Sequence, residues 1–131
     1  MKIAVDFDGT CVDHVFPKVG KDAPNVVETL HTLVDGGHMI FLYTMRSGNF
    51  LTEAIKWFID RNIPLSGINN DPSQSEWTQS PKCYADLYID DLAFGAPLIT
   101  PAGFKRRCID WNAVNDKLLT LKTAAEIAAE D

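Results

Sequence analysis

The sequence lacks closely spaced cysteines, a long apolar run, internal repeats, low-complexity tracts and any surplus of positive charge. Its three cysteines, Cys11, Cys83 and Cys108, form no C-x-x-C pair. An odd count without short spacing argues against a disulfide framework or a zinc knuckle. No apolar stretch approaches the length of a membrane span. Ile3-Ala4-Val5 is too short for the apolar region of a signal peptide, and Asp6 and Asp8 interrupt it. These absences predict a cytoplasmic chain with no membrane partner. Twelve Lys and Arg face eighteen Asp and Glu, which gives a net charge of −6. An acidic surface repels phosphate backbones and weighs against duplex DNA or long RNA, though not against a nucleotide or a nucleic-acid end as substrate. Lys105-Arg106-Arg107 is the one basic run and reads as a solvated loop.

What is present fits one domain over residues 1–131, with 46% apolar residues. Ile3 to Phe7 is a short apolar run that reads as a buried strand. Residues 11–24, with Pro17, Gly20 and Pro24, read as a loop. Asn25 to Asp35 and Leu51 to Arg61 carry apolar residues at helical spacing. His38 to Tyr43 and Ala85 to Ile89 read as buried strands, and Leu65 to Ile68 as a shorter one. Residues 69–82 read as loop, and Pro97-Leu98-Ile99 as a fifth strand at the sheet edge. Asp110 caps a last helix with Trp111, Val114, Leu118 and Leu121 on one face, and Ala124 to Asp131 extends it or frays. Apolar strands alternating with amphipathic helices predict an α/β fold, a three-layer α/β/α Rossmann-like sandwich around a mostly parallel sheet of about five strands.

In such sheets ligands bind beyond the carboxyl ends of the strands. Three polar clusters follow strands here: Asp6 with Asp8, Thr44 with Arg46, and Asp90 with Asp91. Four carboxylates in one small volume repel one another unless a cation joins them. Mg²⁺ prefers oxygen ligands and also binds substrate phosphate, which makes it the expected cofactor. Thr44 offers a hydroxyl and backbone N–H groups to a phosphate oxygen. Lys82, eight residues before Asp90, offers a charge that offsets the carboxylates, and Arg46 offers a bidentate phosphate contact.

These residues carry a resemblance. Asp6-Phe7-Asp8-Gly9-Thr10 after an apolar strand resembles the D-x-D-G-T signature of the haloacid dehalogenase (HAD) superfamily. Thr44, Lys82 and Asp90-Asp91 resemble its second, third and fourth motifs, in that order, over residues 3–91. The stretch from Lys82 to Asp91 looks like small bacterial and phage members regarded as hydrolases. The resemblance implies a phosphatase in which Asp6 is the nucleophile and Asp8 the acid and base. It implies Thr44 and Lys82 as catalytic phosphate holders, and Gly9, Thr10, Met45 and Arg46 beside them around the substrate. It implies a metal site of Asp6, Asp8, Asp90 and Asp91, with Asp8 ligating through its backbone carbonyl and Asp91 more directly than Asp90.

The gaps between Thr10 and Thr44 and between Arg61 and Lys82 are too short for the cap domain of many relatives. The resemblance is therefore to capless members, whose open sites suit bulky phosphorylated substrates. Loops 11–24 and 69–82, or a second subunit in an oligomer, are the expected covers. The alternative reading is a non-catalytic phosphate- or metal-binding regulatory domain.

Overall fold

A computed structural model describes residues 1–118 and 124–130. Leu121 and Asp131 lie outside the described residues, so their expected helical positions are not assessed. The elements are β1 (Lys2–Val5), α1 (Val26–Asp35), β2 (Met39–Leu42), α2 (Gly48–Asp60), β3 (Gly67–Ile68) and a 3₁₀ turn (Pro72–Glu76). They are followed by β4 (Leu87–Ile89), β5 (Leu98–Ile99), β6 (Cys108–Ile109), α3 (Trp111–Leu118) and α4 (Ala124–Ala128).

β1 to β4 form one parallel sheet in the order β3-β2-β1-β4. The fold is thus α/β and Rossmann-like. The order explains where the layers lie. Crossovers between parallel strands are right-handed, so connections running in one direction stack on one face. β1 to β2 and β2 to β3 step the same way, and α1 and α2 share a face. Leu30 and Leu33 of α1, and Trp57 and Phe58 of α2, pack with Ile3, Val5, Ile40 and Leu42. Trp111 and Val114 of α3 join the same core.

The return step from β3 to β4 runs the other way and crosses the opposite face. There Ala4 and Phe41 pack with Cys83, and Tyr43 and Tyr88 lie against them. Residues 69–86 supply this cover. They contain only the 3₁₀ turn, capped by Asp71 and Gln74, where a bare loop was expected. The expected second helical layer is reduced, among the described residues, to this strap, because the segment is polar, is broken by Pro72 and Pro81, and lacks apolar residues at helical spacing.

The expected fifth sheet strand also differs. Leu98–Ile99 does not extend the parallel sheet. It pairs antiparallel with Cys108–Ile109 in a separate ribbon. The described parallel sheet has four strands. The ribbon has a purpose in the fold, since the Ile109 N–H donates to the Gly9 carbonyl at 3.2 Å and so holds the loop after β1. Asp110 does cap α3, its carboxylate accepting from the Ala113 N–H.

Trp111 completes the link between α3 and that loop. It is fully buried, and its Nε1 donates to the Thr10 carbonyl at 2.8 Å. Trp111→Phe removes the donor and leaves a buried carbonyl unpaired, so it should cost about 1–3 kcal/mol. Trp111→Ala adds a cavity and should cost about 3–5 kcal/mol. Urea denaturation of the two variants checks both the size and the order of the losses.

Candidate functional site

β1 and β4 are adjacent, with Ala4 opposite Tyr88 and Val5 opposite Ile89. The Asp6 N–H continues the ladder by donating to the Ile89 carbonyl at 3.0 Å. The next positions of both strands are aspartates, so Asp6 and Asp90 emerge side by side at the carboxyl edge. Asp91 joins them: carboxylate oxygens of Asp6, Asp90 and Asp91 lie within 4.8 Å of one another. Thr10 sits buried between two of the three. Its hydroxyl lies 3.3 Å from Asp6 Oδ2 and 3.2 Å from Asp91 Oδ1, and accepts from the Asp91 N–H at 3.1 Å. One hydroxyl proton cannot satisfy both carboxylates at once.

The loop that delivers Thr10 is tight. The Thr10 and Cys11 N–H groups both donate to the Phe7 carbonyl, and the Gly9 N–H donates to the Val12 carbonyl. Gly9 has a φ of 81°, where a side chain is strained, and a Cβ there would overlap the Asp91 carboxylate. The requirement for glycine at position 9 is therefore steric as well as conformational.

The electrostatics follow from this crowding. Burial, then the neighbouring Asp90 and Asp91 carboxylates, push the Asp6 carboxyl up to about 8 from its ordinary 3.8. Burial, followed by the nearby Asp6, likewise pushes the Cys11 thiol well above its ordinary value. Cys11 is fully buried and its thiol donates to the Asp6 carbonyl, as a structural cysteine would. A set of carboxylate oxygens this close, one driven toward its protonated form, is chemically fitted to a hard divalent cation.

Asp8 does not face this cluster. Both its oxygens are taken by Arg46, from Nε at 2.7 Å and Nη2 at 2.8 Å. The remaining Arg46 donors go to the carbonyls of Pro17, Lys18 and Phe50. The guanidinium is also sandwiched between the rings of Phe7 and Phe16, at 5.1 and 5.0 Å. Arg46 is almost wholly buried. This corrects the expected phosphate contact from Arg46: every N–H of its fork is already satisfied inside the protein.

The other expected residues are placed as follows. Thr44 follows β2; its N–H donates to Asn69 Oδ1 at 2.8 Å, and its hydroxyl accepts from the Arg46 N–H. Met45 is fully exposed. Lys82 lies with Nζ 5.3 Å from the centre of the Tyr88 ring. Among the described residues Lys82 forms no ion pair with Asp6, Asp90 or Asp91. The basic run at 105–107 is exposed, but its backbone is anchored, because the buried Asp13 carboxylate accepts from the Lys105 and Arg106 N–H groups.

Asp13, Asn69 and Gln74 are supporting residues that sequence reading passed over. Only Gln74 left a signal, the D-P-x-Q capping pattern at Asp71–Gln74.

No family model matches the sequence, and neither does any curated protein. A solved structure of a conserved protein from Bacteroides thetaiotaomicron does match, with 37% identity, 99% of this chain and 98% of that chain covered, and a TM-score of 0.76. The chain belongs to that protein's family. Similarity over nearly the full length of both chains extends to every element that frames the carboxylates.

Two outcomes follow from the site's charges. The Asp6 carboxyl holds its proton more tightly folded than unfolded, so its contribution to stability is complete below about pH 3.8 and is lost as the pH rises toward about 8. In EDTA, the stability of the native sequence relative to Asp6→Asn should therefore fall across that window. Denaturant titrations at several pH values read the slope directly. Arg46→Leu strands the Asp8 carboxylate in a largely buried position and should cost about 3–5 kcal/mol, a loss readable by the same titration.

Proposed function

We propose that the chain is a Mg²⁺-dependent phosphohydrolase, a capless phosphatase with a HAD-type core, acting through an aspartyl-phosphate on Asp6. The observation that carries this is the meeting of Asp6, Asp90 and Asp91 at the ends of two adjacent parallel strands. They come from the first and fourth motifs of the resemblance, and Thr44 follows the strand on the other side of β1. Asp6, Asp90 and Asp91 would hold Mg²⁺, which when bound neutralises the carboxylates and the phosphoryl oxygens.

The chain's own groups then account for the chemistry. An Asp6 carboxylate oxygen attacks phosphorus, and the bond from phosphorus to the leaving oxygen breaks. Asp8 gives that oxygen its proton. Water next attacks the aspartyl-phosphate while Asp8 takes a proton back, which releases inorganic phosphate and restores Asp6. The Thr44 hydroxyl, the loop at Gly9 and Thr10, and Lys82 orient the phosphoryl group. Leu92 and Phe94, exposed just after the acidic pair, and Met45, exposed after Thr44, suit an open site that takes a bulky phosphoester. No described helix is long and apolar enough to cross a membrane.

A second reading is favoured by one observation. Asp8 can act only by leaving its bidentate pair with Arg46. A chain that never broke this pair would retain a phosphoryl group rather than hydrolyse it, and would behave as a phosphate-binding regulatory domain.

The readings part in one assay. With Mg²⁺ the protein should hydrolyse an aryl phosphate, and Asp6→Asn should abolish turnover. Asp8→Asn should lower kcat by about 10²–10⁴-fold yet still accumulate acid-stable aspartyl-phosphate from a good leaving group. Labelling of Asp6 without turnover in the native sequence selects the regulator, and the absence of both labelling and turnover rejects the phosphoryl-transfer reading.

A further inference from the structure

The strap over the second sheet face is organised around one buried amide. Gln74 is almost wholly buried, and all four hydrogen-bonding positions of its side chain are used. Its Oε1 accepts from the Asp71 and Tyr84 N–H groups, each at 3.0 Å. Its Nε2 donates to the carbonyls of Ser80 and Lys82, at 3.3 and 2.9 Å. The Tyr88 hydroxyl closes the same loop by donating to the Cys83 carbonyl. The backbone on both sides of the Lys82 side chain is thus fixed.

The side chain is held as well. The Lys82 ammonium rests over the Tyr88 ring, which in turn packs against Tyr43 at 6.0 Å. The strand register converts this into a position relative to the carboxylates. Ala4 lies opposite Tyr88, and Asp6 and Asp90 are each two residues further along. Side chains two apart on a strand share a face and stand about 7 Å apart. Tyr88 therefore stands one side-chain step short of the Asp6–Asp90 pair, on the same face of the sheet, with the Lys82 ammonium over its ring.

We propose that Tyr88 is a positioning residue for Lys82, its ring holding the ammonium beside the carboxylates so that it can close on an incoming phosphoryl group. The inference rests on the phosphoryl-transfer reading above. The physical case is one of competing needs. A lysine paired directly with Asp90 would have to break an ion pair before binding phosphate. A freely solvated lysine would have to lose side-chain entropy on binding. A lysine on an aromatic face avoids the first and reduces the second, because a cation–π contact is weak enough to release and directional enough to orient. Gln74 keeps the strap in register, through its four hydrogen bonds to the strap backbone.

The test is calorimetric titration of inorganic phosphate into Mg²⁺-saturated protein. Lys82→Met should weaken binding about tenfold, the loss of one charge-assisted contact. Tyr88→Phe keeps the ring and should bind as the native sequence does. Tyr88→Met should weaken binding about threefold, in line with an exposed cation–π contact. In the Lys82→Met background, Tyr88→Met should add nothing, because a positioning residue acts only through the group it positions. Mg²⁺ affinity should fall in none of the variants, which a general loss of structure would not allow. If the two losses multiply in full, or if Tyr88→Met binds normally, Tyr88 does not position Lys82, and the proposed function survives. If the native sequence binds no phosphate with Mg²⁺, the inference fails, and the turnover and labelling assay decides the proposed function separately. A second measurement needs no variant: NMR signals of the Lys82 side chain should shift when phosphate draws it off the ring, and unchanged signals at saturating phosphate overturn the inference.

Discussion

A partly buried carboxylate beside two others is costly unless a proton or a cation joins them. Among the described residues this condition is met where β1 and β4 run parallel and each continues into aspartate. The surrounding structure can be read as a set of responses to it. The register fixes Asp6 beside Asp90. The tight loop after Phe7 brings the Thr10 hydroxyl between Asp6 and Asp91. Glycine at position 9 leaves room for the Asp91 carboxylate. The antiparallel ribbon and Trp111 then brace the loop from outside, through the carbonyls of Gly9 and Thr10.

A second charge problem is solved differently. Asp8 stands only two residues from Asp6, and its carboxylate would add to the same repulsion. Arg46 removes it from the cluster by a bidentate pair and is itself held by three carbonyls and two aromatic faces. The carbonyls belong to Pro17 and Lys18 of the first loop and Phe50 of α2. The pair therefore ties Asp8 to the loop expected to cover the site, so any movement of its carboxylate with Arg46 is coupled to residues 17–18.

Lys82 shows a third solution. The strap over the second face is thin, because the return from β3 to β4 is polar and carries Pro72 and Pro81, which leave no amphipathic helix to form. A buried glutamine gives this short segment the order that a helix would otherwise supply. It fixes the backbone at Lys82, whose ammonium rests over the Tyr88 ring and pairs with none of the three carboxylates. The three devices share a logic: charges at the edge of the sheet are held close, and each is restrained by its own partner.

Much of this was legible in the sequence. Short apolar runs ending in Asp6, Thr44 and Asp90-Asp91 identified the parallel strands and the edge at which their polar residues meet, since period and burial are written directly in residue type. Helices α1 and α2 lie within a few residues of where their apolar spacing puts them. Side-chain pairings over long range were not legible. Nothing in the spacing of Asp8 and Arg46 distinguishes an arginine aimed at a ligand from one aimed at an aspartate. Likewise, Leu98–Ile99 reads as an edge strand whichever neighbour it pairs with, and Gln74 reads as a surface residue until the strap folds over it. The sequence by itself determined the strand endings and therefore the acidic edge. Tertiary structure alone decided which charges face one another there, because that depends on strand order, crossover face and the few ångströms separating one partner from another.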